Sequence, residues 1–170
     1  GGVFVTGRPN YKFTHDAQSL AQGLDPLGQT ASSLTLSEAE ALRSAAITRL
    51  EQAGISAEQS ARLNDVAISL SDLPGQLLGL AMDGTILLDL TAAGAGWFID
   101  PTPFADEEFA LAPEGNFAAI TTPAQNGVDL LSVILHELAH HIGGDDVDAE
   151  VYPSHLLADT IVPGQRRLPE

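Results

Sequence analysis

The stretch His136-Glu137-Leu138-Ala139-His140-His141-Ile142-Gly143-Gly144-Asp145-Asp146 decides how this chain reads. His136 and His140 are four residues apart, so on a helix they share one face, one turn apart, as two ligands of a single zinc ion must. Glu137 sits about a third of a turn round the helix. From there it reaches a water acidified by the metal without being a ligand itself, as a general base should. This is the His-Glu-x-x-His pattern. A catalytic zinc also takes a third protein ligand and leaves one position open. Gly143 has no side chain and turns the chain back readily. Asp146 follows three residues later, where the returning chain passes under the metal. Asp145, Asp148 and Glu150 compete for that third place, and Asp146 is preferred. Glu150 is too close to the second His for a site completed by a Glu on a separate helix. His141 points to another face and is read as a non-ligand.

Working outward, the motif ends a helix that runs from Asp129 to Ile142, with Asn126 or Asp129 as its cap and Gly143-Gly144 as its stop. Leu130, Val133, Ile134, Leu135, Leu138 and Ile142 give it a broad apolar face. Upstream, Ser37 and Glu40 have capping-box spacing, with Leu36 as a staple, and open a second helix that Gly54 stops. A short helical piece covers 57–63, a buried strand 66–70, and a turn 72–75. Gln76–Ala81 and Thr85–Leu90 form a hairpin around Asp83-Gly84. Residues 91–127 read as a long loop packed through Trp97, Phe98, Phe104, Phe109 and Phe117. Downstream come an acidic turn at 145–148, a short helix over 154–159 and an irregular tail. Residues 1–35 are mixed: a short strand at Val3-Phe4-Val5, then linker marked by Gly23, Pro26, Gly28 and the Ser/Thr-rich run 30–35.

The 170 residues, 44% of them apolar, suit one domain with a core, cut by a cleft. The net charge is −16, with Lys12 the single lysine beside six arginines. Such a surface repels phosphate backbones and anionic lipid, which excludes nucleic-acid binding. It suits a salty or extracellular medium, with divalent-cation binding at aspartate clusters as the weaker reading. No cysteine is present, so disulfides and thiolate metal sites are excluded and His, Asp and Glu remain as ligands. No apolar run approaches the roughly 18 residues of a spanning helix. The Gly1-Gly2 start and the lack of a signal peptide read as part of a longer chain.

The longer pattern His-Glu-x-x-His-x-x-Gly-x-x-Asp resembles the metzincin clan of zinc peptidases, in its minority variant with Asp as third ligand, as in snapalysin. Leu78–Ala81 with Gly84–Asp89 look like the edge strand and following strand of matrixins. Gly96–Pro103, Asp129–Leu135 and the tail Arg166-Arg167-Leu168-Pro169 resemble matrixin-like domains of large secreted bacterial proteins. The resemblance covers about residues 34–169 and is specific at 136–146. It implies that Leu77–Ala81, with Gly79 and Leu80 at its centre, holds an extended substrate by β-augmentation. One departure stands: metzincins place a Met in a turn beneath the metal, and the matching position here is Leu157.

The expectation is therefore an α/β (α+β), metzincin-like domain over 36–170, with a small mixed sheet over the active-site helix and a short C-terminal part below the cleft. Residues 1–35 are an extension or linker. The implied activity is zinc-dependent endopeptidase, with Glu137 catalytic, His136, His140 and Asp146 on the metal, and protein or peptide as substrate. Alternatives are a zinc-stabilised module without turnover and a self-processing domain. Calcium is a second candidate ion, at Asp106-Glu107-Glu108, which otherwise reads as a solvated loop. Secretion or display on a bacterial surface, within a larger chain and without membrane insertion, completes the reading. His155, Tyr152 and His15 are read as surface residues, the first two with a cleft role as alternative, and Trp97 as core.

Overall fold

A computed structural model describes residues 17–21 and 32–170. The expectations placed on Val3-Phe4-Val5, His15, Gly23, Pro26 and Gly28 lie outside the described residues.

The first element is the short strand β1 (Ser19–Leu20), followed by helix α1 (Leu36–Gln52). α1 starts one residue before the expected cap. Thr35 is the cap, closing a reciprocal capping box with Glu38, while Glu40 instead pairs with Arg43 at 2.8 Å. The apolar staple explains the choice. With Thr35 as cap, Leu34 and Ala39 are the staple pair and both are buried, whereas Leu36 is half exposed. α1 ends at Ala53, and Gly54 continues at φ +100°.

α2 (Ala57–Asn64) has its own capping box, Ser56 with Gln59. It leads into β2 (Ala67–Ser71), where Ile68 is buried and Ala67 and Ser69 are exposed, so the strand is covered on one face and not on both as the sequence suggested. β3 (Gly79–Met82) and β4 (Thr85–Asp89) form the expected hairpin, with Met82 opposite Thr85 and Gly84 at φ +68°. β4 is central: β2 lies parallel on one side and β3 antiparallel on the other.

Residues 91–127 are not one loop. They hold β5 (Trp97–Phe98), the hairpin of β6 (Phe109–Leu111) with β7 (Phe117–Ala119), and the short helix α3 (Thr122–Gln125). Phe98 and Phe109 are buried edge to face, but Phe104 is 66% exposed and belongs to neither buried apolar cluster. Strands of two or three residues are too short to show a period-2 pattern, which hid them in the sequence.

β8 (Val128–Asp129) pairs with β5 and runs directly into α4 (Leu130–His141). The C-terminal part contains β9 (Thr160–Ile161), parallel to β1, and β10 (Gln165–Arg166), antiparallel to β7. Residues 154–159 form turns, tied to the chain after the motif by a parallel bridge between Val147 and Ala158, so the expected helix there is absent. The tail expected to be irregular carries β10.

The arrangement is mixed helix and strand. α4 is the central element, buried from Leu130 to Ala139, packed against α1 on one side and against β3 and β4 on another. One apolar cluster joins α1, the sheet and α4, and includes Leu20 of β1. Burying a helix almost all round is what the apolar residues of 130–135, interrupted only by Ser132, demand. Among the described residues, no helix is long and apolar enough to cross a membrane.

Candidate metal centre

Asp129 caps α4 through a hydrogen bond from the Ser132 amide, and the helix carries His136 and His140 on successive turns. Gly143, at φ +98°, reverses the chain after the helix. That reversal brings Asp146 back, so that His136, His140 and Asp146 converge. Asp146 Oδ1 lies 3.0 Å from each histidine Nε2. The two Nε2 atoms are themselves 3.0 Å apart.

The other nitrogen of each ring settles what faces inward. His136 Nδ1 lies 3.0 Å from the Leu156 carbonyl and His140 Nδ1 lies 2.9 Å from the Gly144 carbonyl. A carbonyl only accepts, so both Nδ1 atoms donate, and in the neutral rings both Nε2 atoms present lone pairs. Asp146 Oδ1 is buried, and with both rings neutral it accepts no hydrogen bond among the described residues. His136 Nε2, His140 Nε2 and Asp146 Oδ1 then turn electron pairs toward one point, an arrangement that a proton or a metal ion among them stabilises. Carbonyls that hold ring orientation from behind are the usual support of metal-bound histidine. For four-coordinate zinc, bonds of about 2.0–2.1 Å put ligand atoms roughly 3.3 Å apart, close to the 3.0 Å separations found. The donor set fits a zinc ion.

Glu137 lies beside this point, wholly buried. Its Oε1 accepts from the Gln18 amide at 3.0 Å, and its Oε2 has no partner among the described residues. Burial pushes its carboxyl up to about 7, against the pull of His136, His140 and the Gln18 amide. Burial pulls His140 down, but Asp146, the Gly144 carbonyl and Glu137 outweigh it and hold it near 9. Burial likewise raises Asp146, yet the two histidines prevail and keep it below the usual carboxylate range. In the metal-free protein a proton on His140 therefore does part of a cation's work.

Two glycines make room for this geometry. A Cβ on Gly79 would come within 2.9 Å of Glu137 Cγ and Oε1, so the bare backbone of β3 lets the glutamate lie against it. A Cβ on Gly144 would come within 2.7 Å of Leu157 Cδ1. Leu157, the residue that the sequence resemblance matched to a Met, thus packs against Gly144 in the chain that leads to Asp146. The neighbouring Leu156 carbonyl is the one that holds His136.

The other residues singled out in the sequence lie elsewhere. Asp145, Asp148 and Glu150 are exposed and outside the cluster. His141 Nε2 turns to the Thr85 carbonyl of β4 at 3.2 Å. His155 and Tyr152 are exposed. Leu80 faces Leu87 on β4, while the Gly79 amide points to Gln18. Trp97 is half-buried against the main core, its indole N–H donating to the Asp89 carbonyl. Asp106 is not a solvated residue: its carboxylate is committed to Arg49 and Arg166, which leaves it unsuited to the calcium reading.

Sequence reading missed two groups. The first is the segment 17–21, assigned to the N-terminal extension with no chemistry attached, which enters the site through Gln18. The second is Arg166, whose guanidinium is fully buried between Asp100 (2.7 Å), Asp129 (2.9 Å) and Asp106 (2.9 Å), 4.2 Å over the ring of Phe109. Burial lowers Arg166, but Asp129 and Asp100 more than reverse this. Arg167, held by the Pro153 and Ala158 carbonyls with no carboxylate in contact, is pushed down to about 10 by burial. The signal for the arginines was the pair Arg166-Arg167 in a chain with six arginines, whereas the segment 17–21 carried none.

No protein-family model, curated protein or solved structure matches the chain.

Proposed function

We propose that this protein is a zinc-dependent endopeptidase of metzincin type, acting outside the cell as part of a larger chain. The observation that carries the proposal is the convergence of His136 Nε2, His140 Nε2 and Asp146 Oδ1, 3.0 Å from one another, beside a buried carboxyl whose Oε2 has no partner among the described residues. A purely structural metal site has no use for such a carboxyl, which favours turnover over a merely zinc-stabilised module.

Zinc held by the three side chains would act as a Lewis acid, polarising the substrate carbonyl and acidifying a water. Glu137 takes the proton of the attacking water and delivers it to the leaving amine. Its burial beside the three side chains keeps it close to both the water and the leaving nitrogen. The Gln18 amide marks where a peptide nitrogen sits relative to Glu137, at 3.0 Å from Oε1. β3 is the edge of its sheet, and an extended backbone laid along its start is aligned by main-chain hydrogen bonds. Gly79 keeps the glutamate and the bound backbone in contact.

Cleavage of an unfolded protein by the zinc-loaded wild type, compared with Glu137→Ala, tests the reading. Loss of about 10²–10⁴ in rate on removing the general base is the expected outcome. Undiminished cleavage by the variant rules out the mechanism.

A further inference from the structure

Residues 17–21 lie as an added strand between Gln76–Gly79 and β9. The Leu20 amide donates to the Gln76 carbonyl at 2.8 Å, Ser19 forms an antiparallel bridge with Leu77, and the Leu78 and Gly79 amides point to the Gln18 carbonyl at 2.9 and 3.3 Å. On its other side the strand runs parallel to β9. There the Ser19 amide donates to Asp159 at 3.0 Å and the Ala21 amide to Ile161 at 3.1 Å. The segment is thus held on both edges, between the start of β3 and the C-terminal wall, and it crosses the metal cluster. The Ala17 amide lies 3.4 Å from Asp146 Oδ2, and the next amide, of Gln18, donates to Glu137.

The Gln18 side chain is enclosed, 1% exposed, with its Nε2 donating to the Ala158 carbonyl at 3.1 Å. That carbonyl also accepts from Arg167, which fixes it in place. In peptide hydrolysis the nitrogen of the cut bond must stand beside the group that protonates it as it leaves. The nitrogen in that position is Gln18's.

We propose that residues 17–21 are bound as a substrate, that the protein cuts its own Ala17–Gln18 bond, and that the pocket around Gln18 selects a glutamine after the cut. This rests on the peptidase reading above and names its substrate. Water adds to the Ala17 carbonyl carbon and gives a proton to Glu137. The carbon–nitrogen bond breaks, and Glu137 passes that proton to the Gln18 nitrogen. The products are the Ala17 carboxylate and the Gln18 amine. The pocket's fixed polar group at Nε2 is an acceptor, so it takes an amide N–H and opposes a carboxylate in the same place.

The test uses the whole chain with added zinc, followed by intact mass over time, in the presence of an unfolded protein whose fragments are mapped. Wild type should gain a new N-terminus at Gln18, and Glu137→Gln should stay whole. Gln18→Glu should be cut at least about tenfold more slowly, since an acceptor then faces the Ala158 carbonyl. Fragments of the unfolded protein should be enriched in glutamine after the cut. Independently of turnover, the metal-free Glu137→Gln chain, which keeps the Oε1 acceptor, should show slowed amide hydrogen exchange over residues 18–21. Rapid exchange there overturns the inference, as does equal cutting of Gln18→Glu. Cleavage of the unfolded protein with Ala17–Gln18 intact overturns it and leaves the peptidase reading standing. Failure to cut either chain with zinc bound removes both.

Discussion

The two ends of α4 carry buried polar clusters of opposite kinds. At the N-terminal end Asp129 and Asp100 face Arg166, and their carboxylate oxygens receive hydrogen bonds from the guanidinium, Ser132 and Thr102. The cluster contains its own cation, and none of its oxygens is orphaned. At the C-terminal end His136 and Glu137 are as deeply placed and His140 and Asp146 partly buried, yet Asp146 Oδ1 meets only the two histidines and Glu137 Oε2 has no hydrogen bond among the described residues. Both clusters sit on the same helix and draw on the same late stretch of chain. One is complete in itself. The other gathers His136, His140 and Asp146 into a group that could hold a metal ion, and that contrast separates a cluster neutralised from within from one open to a guest.

The largest expected effect comes from breaking the complete cluster. Arg166→Met strands Asp100 and Asp129 in the interior, a loss of about 3–5 kcal/mol. For a chain of this size that lowers the melting temperature by roughly 10–15 °C. Thermal unfolding measures it, and zinc affinity should be unchanged. A loss below about 1 kcal/mol means that the cluster is not the self-sufficient unit described.

Zinc should act on the other end alone. At a hundredfold excess over its dissociation constant it adds about 2.7 kcal/mol, or roughly 5–10 °C. Asp146→Ala should abolish that gain while leaving the metal-free melting temperature within a few degrees of wild type.

Acidity sharpens the contrast further. Glu137 is raised in the fold from 4.5 to about 7, so its contribution to stability is full below pH 4.5 and lost as pH rises through 7. His140, raised from 6.5 to about 9, contributes below pH 6.5 and loses this as pH rises through 9. The metal-free chain should therefore melt at least about 5 °C lower at pH 9 than at pH 5. Zinc-induced stabilisation should run the other way, because protons compete for the same ligands. Parallel slopes with and without zinc would place the metal elsewhere.

Leu157→Met should change least, under about 1.5 kcal/mol, since it swaps side chains of similar volume against Gly144. A calorimetric scan beside wild type checks it. A large loss would show that the turn under the ligands tolerates only leucine.

Much of the C-terminal cluster was legible in the sequence, because helical spacing puts His136 and His140 on one turn and Gly143 demands a reversal that brings Asp146 back. Glu137's place beside them follows from the same spacing. The complete cluster was not legible: Asp100, Asp129 and Arg166 are separated by up to 66 residues, and nothing local announces their meeting. The helices were readable because α1, α2 and α4 are long enough for caps and periodicity to register. At the start of α1 two capping boxes overlap in sequence, and only burial of Leu34 chooses Thr35. β5 to β10 escaped because pairs and triplets of residues carry no pattern. Gln18 escaped for a different reason. Its role comes from a backbone amide, and a backbone amide leaves no trace in residue type.

The most direct measurement is a zinc titration of the metal-free whole chain, wild type beside Asp146→Ala, with bound metal counted. One zinc per chain, held at least about tenfold more weakly by the variant, is the result the account requires. Equal affinity in the two proteins, or no stoichiometric zinc in the wild type, would contradict it.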